Sequence, residues 1–221
     1  MFLGHFGFGL ALKAKAPRTS LGTLFAAAQW LDLVWPVLVL LGWESLRIVP
    51  SSNPLLRLEF VHFPYTHSLA AAIVWSVLFA GVYGWRTGHR TAARWLGLGV
   101  FSHWVLDWIS HRPDLQLAPG LNPRLGLGLW SAPVAAEAVE FALFAAGVWI
   151  YARSTRARDR RGIWGFWLLA AFLVVVAVAN LAGPAPGSAR AVAFSALFIW
   201  LLVAWAAWCD RHRAARTVAS R

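Results

Sequence analysis

The chain has little of what a soluble protein is built from. Charged residues occupy 13% of its 221 positions, acidic residues number nine, and there is one cysteine. So little charge, set against 59% hydrophobic residues and a mean hydropathy of +0.59, excludes an ordinary water-soluble domain. The lone Cys209 excludes an internal disulfide and a cysteine-built metal site. No gap between apolar blocks exceeds about two dozen residues, which leaves no room for a separate soluble domain, so residues 1–221 read as one integral membrane domain. No internal repeat is visible. The glycines of RLGLGLW match no phosphate-loop spacing and lack its lysine, which excludes a nucleotide role. The opening MFLGHFGFGLALK has neither a basic n-region nor a small-residue cleavage site. It reads as a retained half-helix rather than a secretory signal.

What is present gathers into six apolar blocks, near residues 20–43, 68–85, 92–109, 132–152, 163–182 and 190–209. Each is close to the roughly 20 residues that cross a bilayer as a helix. The expected fold is all-α and polytopic, with about six transmembrane helices plus the N-terminal half-helix. Fifteen tryptophans, many near block ends, suit interfacial anchoring. The loops at 44–67 and 110–131 are rich in proline and are expected to be irregular. The last two blocks are nearly free of polar groups apart from Asn180 and Ser195 and read as scaffold.

A net charge of +11 invites a nucleic-acid reading, so the placement of the charge has to decide. Fifteen of the twenty Lys and Arg lie in four segments: Lys13 to Arg18, Arg86 to Arg94, Arg153 to Arg161, and Arg211 to Arg221. These segments alternate with loops that hold few positive charges. That is the positive-inside pattern of an inner-membrane protein with a cytoplasmic C-terminus, and it argues against nucleic acid as a partner.

Against this apolar background the ionisable residues stand out, because each costs roughly 2.5–3.5 kcal/mol at the centre of a spanning helix. In SHWVLDWISHR, His103, Asp107 and His111 follow one another at four-residue steps and form one stripe on a helix. His62 and His67 of HFPYTHSLA and Glu137 and Glu140 of AAEAVEF join them toward the extracytoplasmic side, with Asp32 of AAAQWLDLVW mid-membrane in the first block. Imidazole and carboxylate without thiolate suit zinc or another first-row divalent ion, and Asp107 could bridge ions held by His103 and His111. His62 suits either ligation or proton shuttling. Glu137 and Glu140, three apart on one face, suit ligation, general-base work or helix packing. His103 and Asp107 also admit a plain reading as a buried hydrogen-bonded pair.

HFPYTHSL resembles the T-H-S-L signature of the YdjM-like membrane-bound metal-dependent hydrolases. GHFGFGLAL, QWLDLVWP and SHWVLDWISH fall in the order in which that family carries its histidine and aspartate elements, over roughly residues 1–131. The family is in turn distantly similar to zinc-dependent phospholipase C and related zinc nucleases. The resemblance implies metal ligation by His5, Asp32, His67, His103 and Asp107, with His111 a looser match, and one to three ions, zinc foremost. Where the soluble enzymes carry an H-x-x-x-E pair, this chain has only AAEAVEF. The expected activity is hydrolysis of an ester or phosphoester, of a lipid or a small molecule, by metal-activated water, with Asp32, Glu137 or Glu140 as base. Two other readings remain open: a proton or divalent-metal transporter, and a membrane protein with a structural metal.

Overall fold

A computed structural model describes residues 1–121 and 123–216; Arg221, counted above among the basic residues, lies outside the described residues. The half-helix is α1 (Leu3–Ala11). The first apolar block is two helices, α2 (Leu21–Ala28) and α3 (Trp30–Leu40), bent by 60° at Gln29. The connection expected to be irregular contains an antiparallel hairpin of β1 (Ser45–Ile48) and β2 (Leu58–His62), and then α4 (Pro64–His67). Its prolines sit outside the ladder, where no strand hydrogen bond is lost: Pro50 and Pro54 in the connection and Pro64 in the first turn of α4.

The long helices follow: α5 (Leu69–Thr87), α6 (Arg90–Ser110), α7 (Pro133–Ser154), α8 (Arg160–Ala182), and α9 (Ala189–Ala196) with α10 (Ile199–Arg211). Two further short pairs close the ends, β3 (Leu115–Gln116) with β4 (Arg124–Leu125), and β5 (Thr155–Ala157) with β6 (Arg213–Ala215). The fold is thus mostly helical, with three small two-stranded pairs among the described residues where an all-α chain is expected.

Among the described residues four helices are long and apolar enough to cross a membrane: α5, α7, α8, and α9 with α10; the bent α2–α3 pair makes up to five. Helix α6 is 21 residues long but carries the polar stripe. That stripe is buried: Leu96, Val100, His103, Trp104, Asp107 and Ser110 lie on the packed face, turned inward against α1, α2, α3 and α5. Side-chain caps start several helices, Ser20 for α2, Ser68 for α5, Asp159 for α8 and Ser188 for α9.

The half-helix packs lengthwise along α7. At the crossing a Cβ added to Gly147 would stand 2.1 Å from the Gly7 carbonyl oxygen, so only glycine permits this approach. The start of α1 is held by Glu140 of α7, whose Oε2 accepts the backbone N–H groups of Phe2 and Leu3 at 2.7 Å each. The four basic segments meet at the other end of the bundle. There Lys13 donates to Asp210 at 2.6 Å, Thr19 hydrogen-bonds Tyr83, and β5 pairs with β6.

A candidate metal centre at the floor of an apolar cavity

The bend between α2 and α3 is the first thing that builds the site. At the break, the Ala28 carbonyl accepts a hydrogen bond from Nδ1 of His103 at 2.8 Å. A carbonyl only accepts, so the ring hydrogen lies on Nδ1 and the Nε2 lone pair is free. That Nε2 is buried without a hydrogen-bond partner, 3.2 Å from Asp107 Oδ2 and 3.7 Å from Asp32 Oδ2.

A second imidazole is set the same way by different means. Thr66 Oγ1 donates to Glu44 Oε2 at 2.7 Å and therefore offers only a lone pair to His67 Nδ1, also 2.7 Å away. Nδ1 of His67 must carry the hydrogen. Its Nε2 lone pair then lies 3.4 Å from Asp32 Oδ1 and 3.6 Å from Asp107 Oδ2. The Nε2 atoms of two imidazoles and two carboxylates thus converge, and none of the four groups hydrogen-bonds another. The Met1 ammonium offsets the charge of Asp107, and a cation among the four groups would offset that of Asp32 as well.

His5 completes the arrangement from α1. Its ring stacks on His103 with centroids 3.7 Å apart, and its Nε2 is 3.1 Å from Asp107 Oδ1. The Met1 amino group is 2.6 Å from the same oxygen. Two overlapping sets have ligand atoms within 4.8 Å of one another: His5, His103 and Asp107, and Asp32, His67 and His103. His5, His67, His103 and Asp107 are buried, while the Asp32 side chain is 30% exposed. Asp32 is therefore the one open carboxylate of the cluster.

The remaining sequence-derived candidates fall elsewhere. His111 turns its Nδ1 to Asp114 at 3.0 Å and packs its ring on Trp130, outside both sets. His62 is exposed at the end of β2, with Tyr65 as its aromatic neighbour. Glu140 is committed to the start of α1, and Glu137 lines the cavity. Arg112 and Arg124, in the segment between α6 and α7, donate to the backbone carbonyls of Leu58 and Asp114.

The cluster opens onto a cavity of about 640 Å³, with Asp32, His67 and Asp107 at its polar end. Its walls are apolar and include Trp35, Val176, Phe198, Ile199 and Leu202. The two blocks read as scaffold therefore shape this space, and the polar residues Asn180 and Ser195 line it. Arg57 also reaches the cavity and donates to the Gly183 carbonyl at 2.7 Å.

Sequence reasoning missed Glu44 and Arg57. The signal for Glu44 was its rarity: it is one of nine carboxylates, placed just beyond an apolar block. Burial pushes its carboxyl above the ordinary value, against the pull of nearby His67 and of the hydrogen bonds from Thr66 and Tyr65.

The YdjM inner membrane protein family matches residues 1–183. The chain belongs to that family. The match spans every element that contributes to the histidine and aspartate cluster and ends before α9, so the cavity-lining residues of α9 and α10 lie beyond it. No curated protein and no solved structure matched the chain.

Proposed function

We propose that this YdjM-family protein is a membrane-embedded, metal-dependent hydrolase acting on an ester or phosphoester of an amphiphilic substrate. One observation carries the reading: with Nδ1 of His67 and His103 engaged by Thr66 and the Ala28 carbonyl, both Nε2 atoms face the carboxylates of Asp32 and Asp107 without a hydrogen bond among them. This donor set, nitrogen and oxygen without sulfur, fits zinc or a similar divalent ion, and His67 and His103 each have the outer-shell partner that metal-bound imidazoles use. Asp32, His67, His103 and Asp107 would hold the ion, with His5 beside them. A divalent ion held there supplies Lewis-acid polarisation of the ester oxygen and activation of water.

The chain's own residues supply the rest. Asp32, partly open to the cavity, would take a proton from an attacking water, and Glu137 provides a second carboxylate on the cavity wall. The apolar wall from α8 to α10 excludes water and accommodates the hydrocarbon part of an amphiphile. In this reading α6 is a sixth span, the four basic segments are cytoplasmic, and the cluster faces the extracytoplasmic side. Transport is disfavoured because the path toward the basic end is blocked by fully buried apolar side chains, among them Leu24, Phe25, Leu96 and Val100.

The decisive measurement is metal content. Purified wild-type protein is expected to carry zinc or another divalent ion near stoichiometry, and His103→Ala combined with Asp107→Ala is expected to lose it. A wild-type protein with no metal above background sinks the reading. With metal present, chelator-sensitive cleavage in a screen of lipid and generic phosphoesters separates an enzyme from a structural site.

A further inference from the structure

We propose that Glu44 and Thr66 are positioning residues, forming a hydrogen-bond relay that fixes the ring tautomer of His67 and so sets how tightly the cluster holds a divalent cation. The inference rests on the reading of that cluster as a cation site. Glu44 lies just beyond α3 and is 2% exposed, and the Thr66 side chain is fully buried. Glu44 Oε1 accepts the backbone N–H groups of Tyr65 and Thr66 at 2.8 and 2.9 Å, which caps the first turn of α4. Capping needs nothing more. Yet Oε2 takes a further bond from the Thr66 hydroxyl, and the same hydroxyl oxygen lies 2.7 Å from His67 Nδ1.

A hydroxyl has one hydrogen. Because it is spent on the carboxylate, Thr66 can meet His67 only as an acceptor, and the imidazole must place its hydrogen on Nδ1. The Nε2 lone pair is then committed to the side where Asp32 and Asp107 stand. For His103 the same constraint comes from a main-chain carbonyl, which no substitution removes. For His67 it is written in two side chains and can be edited.

The probe is Co²⁺ alone, added to purified full-length protein in detergent and followed by its visible absorption and by chelator competition. Thr66→Val keeps the size of the side chain and both backbone caps but removes the hydroxyl. Binding is expected to weaken about 10–100-fold, the usual cost of losing an outer-shell partner, and Thr66→Ser is expected to restore it. Glu44→Gln is nearly isosteric but reverses the relay: its amide donates to Thr66, whose hydrogen then turns to Nδ1 and favours the wrong His67 tautomer. Weaker Co²⁺ binding is expected there too. Wild-type affinity in folded Thr66→Val overturns the relay and leaves Glu44 as a cap only. If Thr66→Val does not fold, wild-type affinity in Glu44→Gln overturns it equally. Wild-type protein that takes up no Co²⁺ overturns the cation site itself and the relay with it.

Discussion

At the scale of single residues, the cost of this site is electrostatic. The Asp32 carboxylate lies near two imidazole nitrogens that carry lone pairs, and it has no hydrogen-bond donor among the described residues. Replacing it by asparagine supplies a donor where one is missing. Metal-free Asp32→Asn is therefore expected to melt no lower than the metal-free wild type. Metal should separate the two proteins. Free zinc at about 100 times its Kd stabilises a one-site protein by about 2.7 kcal/mol, so the wild type should show a clear rise in melting temperature and Asp32→Asn little or none. Thermal melts in detergent, with and without chelator, read both effects. Equal zinc-induced shifts would remove Asp32 from the ligand set.

At the scale of elements, α1 carries His5 into the cluster only because α7 lets it approach. Two glycines make the contact and Glu140 holds the first turn. Gly147→Val would force side-chain atoms into the Gly7 backbone, an overpacking that typically costs 1–3 kcal/mol. The expected outcome is a lower melting temperature together with weaker metal uptake, because α1 and His5 are displaced as a unit. Val148→Ala, one position along α7 on a half-buried side chain, serves as the comparison and should leave metal uptake unchanged. Loss of stability with full metal affinity would show that His5 is dispensable to the site. This contact also explains why Glu140 was ambiguous in the sequence: the AAEAVEF pattern places it on a helix face but cannot reveal that the facing element is a helix start lacking partners for its N–H groups.

At the scale of the whole molecule, the two ends of the bundle differ. Four basic segments converge at one end, tied by Lys13 with Asp210 and by β5 with β6, while the hairpin and the loops after α6 and α8 gather at the other. If the basic end is cytoplasmic, a cysteine introduced at Ser52 in a Cys209→Ser background should react with a membrane-impermeant maleimide added to intact spheroplasts. One introduced at Arg158 should react only after lysis. The reverse labelling pattern would invert the topology and move the site to the cytoplasmic side.

Much of this protein was decided by the sequence alone. Composition and block length determined a helical membrane protein, and the cost of burying ionisable residues singled out His103, Asp107, His67 and Asp32, while His5 joined them only through the motifs that mark the family. What the tertiary structure decided are matters of long-range contact. Which imidazole nitrogen faces the carboxylates depends on a carbonyl 75 residues away in one case and on Glu44, 22 residues from Thr66, in the other. The parting of His111 and His62 from the cluster, the use of Glu140 as an anchor, and the cavity wall built by α8 to α10 have the same origin. Periodicity fixes the face of a helix on which a side chain lies, but only packing fixes what that face meets.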